Sequence, residues 1–279
     1  MMSEKFSMRN YLRGLKYPFC SGCGNFTIAN AFLRAVFELG HKDLSKFVFC
    51  SGIGCSSWIP SPYFLADSIH TPHGRSIPVA TGVKLMRPEL NVVVFGGDGD
   101  IAGIGLSHLI HAARRNVDIT VFMVNNMVYG MTGGQVAPTT PLHMKTSSTP
   151  YTSFEYPIDV VNLVVEAGAC YAARWTTIHQ KELREAMKKA ILTRGFSFVE
   201  IVSQCPTMFG RRAGFKNVTE MLEWFRKNSI SVEEAERISE EELSGKIVVG
   251  EFIRRTRPTL TDMIREVMRK AKEETSIEG

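Results

Sequence analysis

Gly96 to Gln135 reads GGDGDIAGIGLSHLIHAARRNVDITVFMVNNMVYGMTGGQ, and this stretch decides the fold. An apolar β-branched run, Asn91-Val92-Val93-Val94-Phe95, leads into it. Ile101, Ile104, Leu109, Ile110 and Ala113 then recur at three- and four-residue steps, the period of a helix. A second apolar run, Ile119 to Val124, ends in Asn125-Asn126. Strand, tight turn, helix, strand and turn in that order make a parallel βαβ unit. Ligands in such units gather at the carboxyl ends of the strands. Both turns lie at carboxyl ends, so Asp98 and Asn126 can face one another.

The chemistry of the two turns is specific. Asp98 gives a hard anionic oxygen, Asn126 a neutral carbonyl oxygen, and the backbone after Asn126 can add another carbonyl. That set suits an octahedral Mg²⁺ left partly open for diphosphate oxygens. Gly97 and Gly99 remove the side chains that would keep backbone away from phosphate. Gly-Asp-Gly by itself is equally a surface turn. The βαβ context and the double asparagine favour the diphosphate–metal reading.

Further out, Phe19-Cys20-Ser21-Gly22-Cys23-Gly24-Asn25 is a Cys-x-x-Cys turn that lets two thiolates reach one metal or cluster. A helical pattern follows from Thr27 to Leu39, ended by Gly40. Phe47-Val48-Phe49-Cys50 reads as a buried strand, with Cys50 a core residue. Its exit holds Cys55 in a glycine turn. Phe198 to Val202 is another strand, and its exit holds Cys205. Four thiols on turns (Cys20, Cys23, Cys55 and Cys205) fit either Zn²⁺ or a [4Fe–4S] cluster, and spacing alone does not choose. Cys170 reads as a packed residue.

His70-Thr71-Pro72-His73-Gly74-Arg75 is a loop whose His73 can donate a hydrogen bond to phosphate or to a developing oxyanion. Arg75 offers a planar multi-donor head. His70 stands further from any such site, and His108 and His111 read as helix-surface or packing residues. From Gly130 to Pro157 there is little period and much Gly, Thr, Ser and Pro. So long a loop is usually functional or interfacial, and this one directly follows the metal turn.

The remaining elements are regular. Asp159 to Ala167 and Lys181 to Thr193 read as helices, and Tyr171 to Thr176 as a strand. The chain has 279 residues, 44% of them hydrophobic, enough for one large α/β domain with appendages. The division expected is a cofactor domain over residues 1–209 and a C-terminal arm over 210–279 that contacts another subunit. The arm comprises an amphipathic helix (Asn217 to Lys227), an acidic stretch (Val232 to Gly245), a strand (Lys246 to Phe252) and a charged helix (Thr259 to Lys272). A net charge of +5 with both signs interspersed argues against a nucleic-acid binder. No run of about eighteen apolar residues is present, so no membrane span is expected. Met1 to Arg13 lacks an apolar signal core, which makes a cytoplasmic location the expectation.

Gly97-Asp98-Gly99 followed by Asn125-Asn126 resembles the thiamine-diphosphate motif. From about residue 10 to about 215 the chain resembles the β subunit of the 2-oxoacid:ferredoxin oxidoreductases, in the 2-oxoglutarate-type branch. The resemblance implies an α/β thiamine-diphosphate-binding fold, a mostly parallel sheet flanked by helices. It implies Mg²⁺ held by Asp98, Asn126 and the Val128 carbonyl, with Tyr129, Gly130, Met131 and Thr132 continuing the cofactor loop. Gly54, Ser56, His73, Gly74, Gly97, Gly99 and Asp100 complete the cofactor set, and His73 and Arg75 are the catalytic candidates. The four turn cysteines match the positions that hold a [4Fe–4S] cluster.

The activity implied is oxidative decarboxylation of a 2-oxoacid to acyl-CoA and CO₂, with electrons passed through the cluster to ferredoxin, an acidic partner that a mildly basic surface suits. No glutamate stands out for activating the aminopyrimidine, Glu89 and Glu200 being candidates by composition only; the resemblance implies that it comes from an α subunit. Further small ferredoxin-like subunits fit the same scheme. Where some relatives carry a lysine or arginine three residues after the third cluster cysteine, this chain has Trp58. Trp58 and the apolar Met131 are the expected substrate-pocket residues, and they open the choice to bulky or aromatic 2-oxoacids besides 2-oxoglutarate. Two rivals remain: a non-redox thiamine-dependent decarboxylase subunit, and a zinc-stabilised non-catalytic assembly subunit.

Overall fold

The structure, a computed structural model, describes residues 5–275. The first four residues of the expected polar N-terminus and the last four of the chain lie outside the described residues. In chain order the strands are β1 (Phe47–Ser51), β2 (Asp67–His70), β3 (Asn91–Gly97), β4 (Thr120–Asn125), β5 (Val128–Tyr129), β6 (Gln135–Val136), β7 (Tyr171–Thr176), β8 (Ser197–Val202), β9 (Ser229–Ser231) and β10 (Ile247–Arg254). Eight of them form one sheet in the order β2-β1-β3-β4-β8-β7-β10-β9, and β5 and β6 make a separate hairpin. The six strands from β2 to β7 in that order run parallel. A parallel sheet is covered on both faces, which is why β1, β4 and β8 are buried along their whole length and read as unbroken apolar runs.

Helices α1 (Asn25–Glu38) and α5 (Gln180–Leu192) cover one face of the sheet. Helices α2 (Ser76–Met86), α3 (Leu106–Arg114) and α4 (Val160–Ala167) cover the other. Under α1, the Phe32 ring stands edge-on to Phe49, Phe95 and Phe122, with centroids 5.6, 5.2 and 5.6 Å away. Burying each such ring stabilises the fold by roughly 1.5–3 kcal/mol. The second layer packs Val94, Met123 and Phe198 under Leu109 and Val164.

From β1 the chain turns outward to β2, whereas from β3 it turns the opposite way to β4. The crevice at the carboxyl ends of β1 and β3 is therefore the topological switch point at which such sheets bind ligands.

Several elements depart from the sequence expectation. Between β3 and α3 the chain is not a continuous α-helix: Gly99–Ile104 is a π-helical segment with non-helical backbone at Gly103, and Ile104 is exposed. Gly103 and Gly105 permit the break, and π-turns of this kind recur at functional sites. Edge strand β2, Asp-Ser-Ile-His, is exposed throughout and has no apolar alternation to announce it. Within the acidic stretch lie the short helices α7 (Val232–Ala235) and α8 (Glu240–Leu243). Each is opened by a capping box, Ser231 with Glu234 and Ser239 with Glu242.

Of residues 210–279, expected as an arm that contacts another subunit, the described part (210–275) contributes two strands to the main sheet. After α6 (Val218–Asn228), β10 pairs antiparallel with β7 through a bulge between Glu251 and Ile253 and carries β9 on its outer edge. The last helix, α9 (Leu260–Thr275), is tied on by Asn116, which is buried and left-handed (φ 50°). Its amide donates to the carbonyls of Arg257 (3.2 Å) and Pro258 (3.0 Å), and its Oδ1 accepts from Phe196 N (2.8 Å) and the Cys170 thiol (3.1 Å). Among the described residues no helix is long and apolar enough to cross a membrane.

Candidate active site

A cavity of about 270 Å³ opens at the carboxyl ends of β1, β3 and β4. Ile53, Gly54, Cys55 and Ser56 line it from the β1 exit, His73 from the loop before α2, and Gly97, Asp98, Gly99 and Asp100 from the β3 exit. Asn126, Val128, Tyr129, Gly130, Met131 and Thr132 close it from the β4 exit. Asp98 and Asn126, assigned to opposite turns by the strand pattern, thus share one cavity.

The glycines set the width of this cradle. A Cβ on Gly99 would overlap the Tyr129 ring, and one on Gly52 would overlap the Asp100 carboxylate. Asp98 is 2% exposed, and burial pushes its carboxyl up to about 7. The Thr139 hydroxyl, which donates to Oδ2, and the backbone N–H groups of Gly99 and Met127 pull it partly back. A carboxylate so far from water is costly unless it meets a cation. Asp100 is also raised by burial, against the Gly74 (2.7 Å) and Ile53 (3.2 Å) N–H donors and His73, and its Oδ2 is buried without a partner. The His73 Nδ1 stands 2.8 Å from Asp100 Oδ1 and 3.2 Å from the Ile53 carbonyl, so the ring is oriented from beneath.

The two asparagines separate cleanly. Asn125 turns away and donates to Glu200 (2.7 Å), whereas Asn126 faces the cavity. Asp98 from the β3 exit and Asn126 and Val128 from the β4 exit line the same cavity, and an aspartate with an asparagine and a backbone carbonyl is a set of the kind an oxygen-ligated Mg²⁺ takes. That set contains one carboxylate. Among the described residues no three His, Cys, Asp or Glu side chains are grouped around a single ion position.

Gly130 stands close to both Asn126 and two of the thiols. A Cβ there would sit 3.3 Å from Asn126 Nδ2, 3.8 Å from Cys55 Sγ and 3.9 Å from Cys205 Sγ. Burial raises the Cys23 thiol to about 12 and Cys55 to about 11. Cys23 is raised further by Cys205, Cys55 and Cys20, and Cys55 by Cys205 and Cys20. Cys205 is raised by burial and also feels Cys20 and Asp98. Cys20 and Cys23 on one loop, Cys55 on a second and Cys205 on a third thus lie near enough to act on one another. Cys50 and Cys170 are buried in the core, as expected of them.

Other expected site residues lie elsewhere. Gly74 acts from behind the cavity, through its N–H on Asp100. Arg75 is not a lining residue; it precedes α2, and its guanidinium donates to the Gly74 carbonyl (3.3 Å). Trp58 does not line the cavity either. It packs against Tyr63 and His70, each with ring centroids 6.4 Å away. Met131 does line it and is 48% exposed. Neither Glu89, paired with Arg87 on the surface, nor Glu200 reaches the cavity. Unforeseen from sequence are Thr139 on Asp98 and Thr140, whose hydroxyl donates to the Met127 carbonyl (2.6 Å). Both come from the aperiodic loop, where only Thr-Thr-Pro hinted at a turn.

Residues 52–201 match the family Thiamine pyrophosphate enzyme, C-terminal TPP binding domain. The 2-oxoacid:ferredoxin oxidoreductase subunit beta of Saccharolobus solfataricus is 44% identical over 200 residues, 70% of this chain and 65% of that one. The 2-oxoglutarate synthase subunit KorB of Methanocaldococcus jannaschii is 48% identical over 266 residues, 95% of this chain and 98% of that one. The chain belongs to the β subunits of the 2-oxoacid:ferredoxin oxidoreductases. As such a β subunit it has an α subunit for partner and forms part of an oxidoreductase complex with a thiamine-diphosphate-binding domain. A structure of 2-oxoglutarate:ferredoxin oxidoreductase from Magnetococcus marinus, with 2-oxoglutarate, coenzyme A and succinyl-CoA bound, superposes on this β subunit with a TM-score of 0.85 at 34% identity. The match covers 96% of this chain and 92% of that one.

Proposed function

We propose that this β subunit holds thiamine diphosphate and Mg²⁺ in the 270 Å³ cavity and a [4Fe–4S] cluster beside it. The complex would oxidise a 2-oxoacid to acyl-CoA and CO₂ in the cytoplasm and reduce ferredoxin. The observation that carries this reading is Gly130, which has both the cavity-facing Asn126 and the Cys55 and Cys205 thiols close by. A metal-bound cofactor and a thiol-bound centre would then be neighbours, as electron transfer between them requires. Asp98, Asn126 and the Val128 carbonyl hold the metal and through it the diphosphate. Thiamine diphosphate, when bound, supplies the carbon nucleophile and the electron sink. His73, fixed by Asp100, presents its other ring nitrogen to the cavity, where it can donate to an oxyanion. Cys20, Cys23, Cys55 and Cys205 bind the four irons.

The carboxyl that activates the aminopyrimidine comes from the α subunit; among the described residues the acidic side chains lining the cavity are the aspartates Asp98 and Asp100. Two exposed apolar surfaces suit that contact: Tyr151, Phe154 and Tyr156 on the loop that holds Thr139, and Met263, Ile264, Val267 and Met268 along α9. The relatives named 2-oxoglutarate synthase favour 2-oxoglutarate as substrate, and Trp58, away from the cavity, does not oppose it. The distal carboxylate would meet its counter-charge on the α subunit.

The test is metal and cofactor analysis of the complex co-expressed with its α subunit under anaerobic conditions, followed by ferredoxin reduction with a panel of 2-oxoacids. The expected result is bound thiamine diphosphate and a broad iron–sulfur absorbance, with about four irons per β chain lost together in a Cys55→Ser variant. Zinc in place of iron, with thiamine still bound, would move the assignment to a non-redox thiamine enzyme.

A further inference from the structure

The turn that carries Asn126 and the Val128 carbonyl is thin and strained. Its central residue, Met127, is left-handed (φ 67°), a conformation that costs a side-chain-bearing residue roughly 1–2 kcal/mol. On one side lies the thiamine cavity. On the other, Asn125, Met127 and Thr139 border a second cavity of about 700 Å³ beneath the loop. Space behind the turn would let it relax backward, so directed bonds must hold it in place. Asn125 Oδ1 accepts from Met127 N (3.0 Å), and Thr140 donates to the Met127 carbonyl (2.6 Å). The Asn125 amide in turn donates to Glu200 Oε1 (2.7 Å). Glu200 is 2% exposed, and its other oxygen accepts from Arg174 Nε (2.7 Å). Arg174 is held by Asp159 at the N-terminus of α4 (2.5 Å) and by the Val248 carbonyl on β10 (3.3 Å).

We propose that Glu200, fixed by Arg174, is the positioning residue of the metal turn: through Asn125 it locks the left-handed Met127 and so sets Asn126 and the Val128 carbonyl on a common ion. This rests on the Mg²⁺–thiamine diphosphate assignment. It gives the first asparagine of the pair a task distinct from the second, and it ties the metal site to the C-terminal strand β10. A buried ion pair is weak evidence of stability for its own sake, but a pair that fixes one hydrogen-bond geometry has a function.

The test uses the α–β complex freed of Mg²⁺ and thiamine diphosphate. Two readouts are taken: the Mg²⁺ concentration for half-maximal thiamine diphosphate binding, and amide hydrogen exchange over residues 125–130 without ligand. Glu200→Ala and Asn125→Ala should each raise the half-saturating Mg²⁺ by about tenfold or more, the effect of losing one charge-assisted hydrogen bond, and should speed exchange across the turn. The double variant R174M/E200Q keeps a neutral acceptor for the Asn125 amide but removes the Arg174 anchor, so its half-saturating Mg²⁺ should fall between those of the unmodified complex and Glu200→Ala. Unchanged Mg²⁺ dependence and exchange in the two alanine variants would overturn the proposal. So would a double variant as impaired as Glu200→Ala. An unmodified complex that binds no thiamine diphosphate at saturating Mg²⁺ would instead overturn the cofactor assignment itself.

Discussion

Replacing Asp98 by asparagine should make the metal-free protein more stable and the site useless. The carboxyl is 2% exposed, and burial lifts it from 3.8 to about 7. Because the folded-state value is raised, the folded protein binds the proton more tightly than the unfolded chain does. The destabilisation is therefore absent below the unfolded value near 4, grows as pH rises, and is complete above about 7. At its full extent, a shift from 3.8 to about 7 corresponds to about 4 kcal/mol. Asparagine removes the charge and keeps an acceptor for Thr139, but its NH₂ faces N–H donors, which costs back about 1–3 kcal/mol. The net gain at pH 8 is about 1–3 kcal/mol, or a few degrees in melting temperature for a chain of this size. The assay is thermal melting of the complex, stripped of Mg²⁺ and thiamine diphosphate, for both proteins between pH 5 and 8. The expected difference widens with pH in favour of Asp98→Asn, and Mg²⁺ with thiamine diphosphate reverses the order by stabilising only the unmodified protein. A difference that is flat in pH, or that favours the unmodified metal-free protein at pH 8, would refute the view of Asp98 as a desolvated carboxylate awaiting a cation.

Cys205→Ser should remove the iron–sulfur absorbance and most of the iron while thiamine diphosphate binding persists, because Cys205 is not a cavity-lining residue; calorimetric titration with the cofactor checks the second half. Gly99→Ala drives a methyl into the Tyr129 ring, whose hydroxyl donates to the Gly99 carbonyl (3.3 Å). Thiamine diphosphate affinity should fall by about tenfold or more, the worth of some 1.4 kcal/mol of overpacking transmitted to the cradle; an unchanged affinity would show that Tyr129 swings aside freely. Asn116→Ala strands the Phe196 N–H and two carbonyls of the segment before α9, and should lower unfolding stability by about 2–5 kcal/mol in urea titration. The same variant should open residues 255–275 to limited proteolysis under native conditions.

What could be read from the sequence was what repeats locally. The runs around Val92–Val94 and Val121–Val124 announce strands because both faces of a parallel sheet are dry, and the period of two already divides Asn125 from Asn126. The Ser-x-x-Glu spacings at Ser231 and Ser239 stand in the sequence too, but the stretch reads there only as acidic and poor in apolar residues, and α7 and α8 were not expected from it. Hidden were the partnerships made across long stretches of chain. Glu200 lies one residue before Ile201 in a strand whose apolar pattern gives no reason for a carboxylate, and its reason is Arg174, 26 residues away, and Asn125, 75 away. Thr139 sits in a loop without period, and only folding brings its hydroxyl onto Asp98. The segment after residue 209 read as an arm because the α/β pattern gives way there to a short amphipathic helix and an acidic stretch poor in large apolar residues; the pairing of β10 with β7 depends on register, which no local pattern encodes. Arg75 and Trp58 mark the opposite failure. Their residue types suit a site and their loops lead toward one, yet Arg75 turns onto the Gly74 carbonyl and Trp58 onto Tyr63 and His70. Side-chain direction at a strand exit is set by the turn geometry. Here Gly52 and Gly74 bring backbone against the Asp100 carboxylate and the Ile104–Gly105 turn, where a Cβ would overlap, and Gly54 lines the cavity without a side chain.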